Sequence, residues 1–207
     1  VSSSSGDLVL PDGARTVVAF AHGTGSSRHS PRNLAVARVL QEAGLGTLLL
    51  DLLTEREERT GADLRFDIPL LGRRMIAAVD RLDAHPATRG MPLGLFGAST
   101  GAAAALIAAA ERPERVGAVV SRGGRVDLAG AAIARVRAPV LLIVGGHDEE
   151  VLELNRAVAA RLVAPHRLEV IPGATHLFAE ENALETVARS ARDWFLRPDP
   201  ALFHAGG

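Results

Sequence analysis

Cysteine, lysine and tyrosine do not occur in this 207-residue sequence. Without cysteine there is no thiol nucleophile, no disulfide and no Cys-ligated zinc or iron–sulfur site. Without lysine there is no Schiff-base lysine, no phosphate-gripping P-loop lysine and no kinase-type ATP lysine. Tyrosine's absence removes the phenolic acid or base. Charge of one sign is also lacking. The 23 cationic residues, all Arg, balance 24 Asp and Glu to a net charge of −1. No basic field for nucleic acid or an anionic membrane results. No run approaches the ~18–20 apolar residues of a membrane span. What remains for polar chemistry is Ser, Thr, His, Asp, Glu, Arg and backbone amides, a set sufficient for acyl transfer.

With 47% apolar and 23% charged residues, the chain can bury a sizeable core. Its length suits one domain spanning residues 1–207, with residues 1–7 and 197–207 expected as poorly ordered tails. The start, Val1 to Gly6, is Ser-rich and lacks the basic and apolar regions of a signal peptide. Together with the missing cysteine, this favours a reducing, cytoplasmic setting. A start at Val rather than Met fits a trimmed chain, a processed chain or a domain of a longer one.

Dense Val, Leu and Ile runs predict strands at Thr16–Ala21, Gly46–Asp51, Pro92–Ala98, Val116–Ser121, Pro139–Gly145 and Arg167–Ile171, with a short one at Leu8–Leu10. Helical stretches alternate with them at Pro31–Ala43, Asp67–His85, Thr100–Glu111, Val151–Leu162 and Ala183–Phe195. This alternation implies an α/β fold with a mostly parallel sheet of about six or seven strands, helices covering both faces. The polar stretch Thr54–Asp67 reads as a solvated loop, with a flap beside a site as the alternative.

Gly97-Ala98-Ser99-Thr100-Gly101 fits G-x-S-x-G between a buried strand and a helix. A sharp strand-to-helix turn there would strain Ser99 and present its hydroxyl above the sheet edge. A serine hydroxyl needs a base oriented by a carboxylate. Of His147, His166 and His176, only His176 lies in a loop after the last strand, on the Ser99 side. His166 precedes its strand and belongs at the opposite edge. Asp148, directly after a strand, is the carboxylate candidate, with Asp127 the runner-up. Asp148 also suits an N-cap, followed by Glu149 and Glu150 in the first turn. Two amides should receive the oxyanion: Thr100 N–H, after the nucleophile, and Thr24 N–H, in His22-Gly23-Thr24-Gly25. His22 reads as a structural residue of that loop. Gly25 is a candidate substrate contact. Arg28, Arg32, Arg122 and Arg125 form a candidate anion-binding mouth, with Arg28 and Arg122 its leading members.

These motifs together resemble the α/β-hydrolase fold, and within it the dienelactone-hydrolase-like branch, over Val17 to Phe195. Arg28-His29-Ser30-Pro31-Arg32-Asn33 and Ser121-Arg122-Gly123-Gly124 resemble a small subgroup sometimes joined to a phosphoribosyltransferase domain. The resemblance implies Ser99, Asp148 and His176 as a triad, and a serine-dependent carboxylic ester hydrolase acting on small acyl substrates. It implies no cofactor and no metal, and a phosphoribosyltransferase domain or a second copy as partner. Dienelactone hydrolases proper use Cys where this chain has Ser99, so their lactone substrate does not carry over. Thioester hydrolysis, acyl transfer, or an interaction module with an unused triad are the competing readings. Arg122–Ala138 is too short for a cap domain, so an open site with little pocket is expected.

Overall fold

The computed structural model describes residues 6–196, at Ala62 the backbone only. Seven strands form one sheet: β1 (Gly6–Val9), β2 (Val17–Ala21), β3 (Gly46–Leu50), β4 (Leu93–Ala98), β5 (Val116–Arg122), β6 (Val140–Gly145) and β7 (His166–Ile171). Their spatial order is β1-β3-β2-β4-β5-β6-β7. All neighbours are parallel except β1, which pairs antiparallel with β3. The helices are α1 (Pro31–Glu42), α2 (Glu55–Thr60), α3 (Ile68–Ala84), α4 (Thr100–Glu111), α5 (Glu149–Ala159) and α6 (Ala183–Phe195).

Alternation along each central strand sends side chains to two separate cores. Val17, Ala19 and Ala21 of β2 pack with α3, α4 and α5, whereas Val18 and Phe20 pack with α1 and α6. Phe20 stacks on Phe96 across the β2–β4 pair, with centroids 4.8 Å apart. The strands buried on both faces are therefore the continuous apolar runs that the sequence displays. Parallel pairing puts the C-terminal ends of β2 to β7 along one edge, where loops can gather functional groups. No cap domain interrupts this order among the described residues, and none of their helices is long and apolar enough to cross a membrane.

Two segments depart from expectation. Gly6 and Asp7, assigned to the tail from sequence, belong to β1 and pair with Leu50 and Leu49. Residues 1–5 and 197–207, the rest of the expected tails, lie outside the described residues. The polar stretch 54–67 is folded, not a plain loop. It contains α2 and a 3-10 turn over Ala62–Phe66. Thr54 and Glu57 form a reciprocal capping box, and Arg74 of α3 grips Glu57 at 2.6 and 2.7 Å. That fork holds the Glu57 carboxyl down at about 2 from its ordinary 4.5, with Thr54 bonds adding to the effect and desolvation opposing it. Residues 126–135 form 3-10 turns with a kink at Gly130.

Candidate active site

Ser99 sits between β4 and α4 with φ 50° and ψ −124°, the strained elbow that the motif predicts. The flanking glycines are required by close backbone approach. A Cβ at Gly97 would fall 2.4 Å from Ala102 Cα, and one at Gly101 would fall 2.3 Å from the Ala21 carbonyl oxygen. The Ser99 amide donates to the Arg122 carbonyl at 3.2 Å, and the Ser99 carbonyl accepts from the Arg125 amide at 3.0 Å. These bonds tie the elbow to the end of β5. Gly23 presses on it from the β2 side, where a Cβ would lie 2.8 Å from Ser99 Cβ.

His176 follows β7, and its Nδ1 lies 2.6 Å from Asp148 Oδ2. A carboxylate oxygen only accepts, so Nδ1 carries the proton, and in the neutral ring Nε2 is left as an acceptor. Asp148 occupies the N-cap position of α5 but caps nothing with its side chain. Its carboxylate serves His176 instead. The loop carrying His176 is fastened by Glu180, whose Oε1 accepts from the Thr175 amide and hydroxyl at 3.1 and 2.6 Å. Those bonds, the hydroxyl's foremost, hold the half-buried Glu180 carboxyl below its ordinary range. Gly123, with φ 51°, lets the loop close over the end of β5. A Cβ there would meet the His176 ring Cε1 at 3.5 Å and the Phe178 ring at 3.4 Å. The imidazole thus rests one residue from the carbonyl that holds the Ser99 amide. Ser99, Asp148 and His176 follow the C-terminal ends of β4, β6 and β7, at one edge of the sheet.

The other sequence candidates divide. Asp127 is bound by Arg125 at 2.9 and 3.0 Å, so the runner-up carboxylate is engaged elsewhere. His166 opens β7, at the far edge. His22 is buried and its Nδ1 donates to the Gly23 carbonyl at 2.9 Å, a structural role. Thr100 opens α4, so its N–H is one of the donors that a helix start leaves unsatisfied. The Thr24 amide instead donates to Thr100 Oγ1 at 3.0 Å, and the Thr24 hydroxyl lies at bonding distance from the same oxygen. In this conformation Thr24 N–H is occupied.

The candidate anion mouth also splits. Arg28 lies between Asp51 and Asp7, bonded to both, and its guanidinium pKa is raised, mainly by the Asp51 hydrogen bond. Arg125 is forked onto Asp127. Neither offers a free charge. Arg32 and Arg122 do not share this neutralisation, since buried nitrogens of both lack partners. A cavity of about 640 Å³ lies beside the His22–Pro31 loop, with Gly25, Arg28, Asp51, Glu58 and Arg65 among its lining. Its second wall is α2 and the turn after it, part of the 54–67 stretch. Among the described residues, no three His, Cys, Asp or Glu gather in an arrangement that could hold a metal.

Comparison with known proteins gives a family and a fold. The sequence model of the dienelactone hydrolase family matches residues 35–198. A Mycobacterium tuberculosis protein named "Putative phosphoribosyl transferase" is 55% identical over 192 residues, covering 93% of this chain. The chain spans only 43% of that relative's length. Among solved structures, a dienelactone hydrolase from Anabaena variabilis superimposes with a TM-score of 0.90 at 56% identity, covering 92% of this chain and 90% of its own. Est1E from Butyrivibrio proteoclasticus, solved with ferulic acid bound, reaches a TM-score of 0.77 at 19% identity, covering 93% and 94%. That likeness concerns the fold alone.

Proposed function

The chain belongs to the dienelactone hydrolase family, a branch of the α/β-hydrolases, and from that premise we propose that it is a serine hydrolase of small carboxylic esters. The observation that carries this reading is the 2.6 Å bond between His176 Nδ1 and Asp148, at the sheet edge where Ser99 stands on its strained elbow. His176 Nε2 takes the Ser99 hydroxyl proton as Oγ attacks the ester carbonyl carbon. The negative charge moves to the carbonyl oxygen, where Thr100 N–H donates to it. Thr24 N–H joins when Thr100 Oγ1 turns away from it. The tetrahedral adduct collapses, the C–O bond breaks, and His176 passes its proton to the departing alkoxide. Water, deprotonated by the same Nε2, then attacks the acyl-enzyme and releases the acid and free Ser99. Asp148 keeps the imidazole in the required tautomer and stabilises its cationic form throughout.

The cavity beside Gly25 supports a small-molecule substrate, its partly polar wall suiting a group that is not a long alkyl chain. The name of the mycobacterial relative, with the 43% of its length that this chain spans, supports a hydrolase module that works beside a phosphoribosyltransferase domain. Hydrolysis of 4-nitrophenyl acetate and butyrate tests the chemistry. Turnover by the wild type, lost at least about 10³-fold in both Ser99→Ala and His176→Ala, is the expected result. Equal turnover by folded Ser99→Ala contradicts the proposal.

A further inference from the structure

Arg122 is the last residue of β5, and only 8% of it is exposed. Its Nε and Nη1 are shut off from solvent and have no hydrogen-bond partner among the described residues. Side-chain alternation places it on the same face as Val120, whose neighbours come from α1 and α6. Arg32 sits in the first turn of α1, and its Nε is likewise buried without a partner. The two guanidinium groups repel each other. That repulsion adds to burial, the larger cause, in lowering Arg122 to about 10.

Several rules are broken together here. A buried cation without a counter-charge is strongly unfavourable. A cation in the first turn of a helix opposes the helix dipole, and α1 has no acidic residue in that turn to offset it. The remaining members of the candidate mouth, Arg28 and Arg125, both have carboxylates. Positive charge from two arginines and a helix start therefore converges with no carboxylate paired to either guanidinium among the described residues. Its place is set by the backbone, because the Arg122 carbonyl is the group that holds the Ser99 amide.

We propose that Arg32, in the first turn of α1, and Arg122, at the end of β5, form an anion subsite that receives the carboxylate or phosphate of a substrate presented to Ser99. The subsite extends the serine hydrolase reading above by naming its substrate class as acidic acyl compounds. Arg is suited to this task, since its planar fork pairs with two oxygens of one acid group. The bound anion supplies the counter-charge that the fold omits.

Calorimetric titration of Ser99→Ala protein with inorganic phosphate, and separately with propionate, reads the subsite without any turnover. Saturable binding of either probe is expected, weakened about tenfold or more by Arg32→Gln and by Arg122→Gln in the same background. The tighter probe identifies the acid group. Arg32 lies on a half-buried helix turn, so Arg32→Gln keeps the test decisive where Arg122→Gln fails to fold. Absence of binding by both probes, or binding unchanged in folded Arg32→Gln, overturns the proposal. Binding that depends on both arginines, in a protein whose Ser99 proves unreactive, upholds the subsite and removes only the hydrolase reading.

Discussion

Replacing Glu57 by Gln tests whether the wall of the cavity is fastened as described. Glu57 is gripped by both arms of Arg74 and closes the capping box with Thr54. Its carboxyl falls from 4.5 to about 2. At about 1.4 kcal/mol per unit this corresponds to an upper bound of about 3 kcal/mol. The Glu57 side chain is 26% exposed, so solvent screening reduces the expectation to about 1–2 kcal/mol. The sign follows from linkage. The folded carboxyl titrates below the unfolded one, so the contribution is present above about pH 4.5 and is lost as pH falls toward about 2. Urea unfolding of wild type and Glu57→Gln at pH 7 and pH 3 isolates it from other carboxylates. The gap between the two proteins should be about 1–2 kcal/mol at pH 7 and shrink to under about half of that at pH 3. A gap that is the same at both pH values refutes the ion-pair account.

Two further substitutions address the site. Asp148→Asn should lower kcat about 10⁴-fold on a nitrophenyl ester, because an amide in that place favours the wrong imidazole tautomer; a loss under about tenfold would show that another group orients His176. Gly101→Ala should destabilise the protein by about 3 kcal/mol or more in thermal unfolding, since the new methyl meets the backbone oxygens of Ala21 and His22 at 2.3 and 2.6 Å; an unchanged melting temperature would contradict the close packing of α4 on β2.

Ser99 was legible because its elbow is a local device. Two glycines and a buried strand are enough to announce a backbone turn that only small neighbours permit. His176 was legible through topology, since a loop after a parallel strand must lie at the C-terminal edge. Asp148 could be read either as a helix cap or as a triad carboxylate, and the structure decides this by the partner of its side chain. The cavity wall was not legible. Thr54-x-x-Glu57 carries the capping-box signal, yet the charge run over 55–59 resembles solvated chain, and the Arg74 that neutralises Glu57 lies 17 residues away on another element. The arginines illustrate the same limit. Composition supplied four candidates, but Arg28 meets Asp51 and Asp7 only after β1, β2 and β3 have assembled. Which cation lacks a partner is a property of the tertiary structure. Gly6 and Asp7 joined β1 for a similar reason: their pairing with β3 is nonlocal, and four residues carry too little pattern to reveal it.

Incubation of the folded protein with a fluorophosphonate, followed by intact-mass and peptide mass spectrometry, tests the nucleophile most directly. One phosphonyl adduct on Ser99, absent from Ser99→Ala and strongly slowed in His176→Ala, is the result that the account predicts. Folded wild-type protein that gains no adduct, or an adduct that persists undiminished in Ser99→Ala, would contradict it.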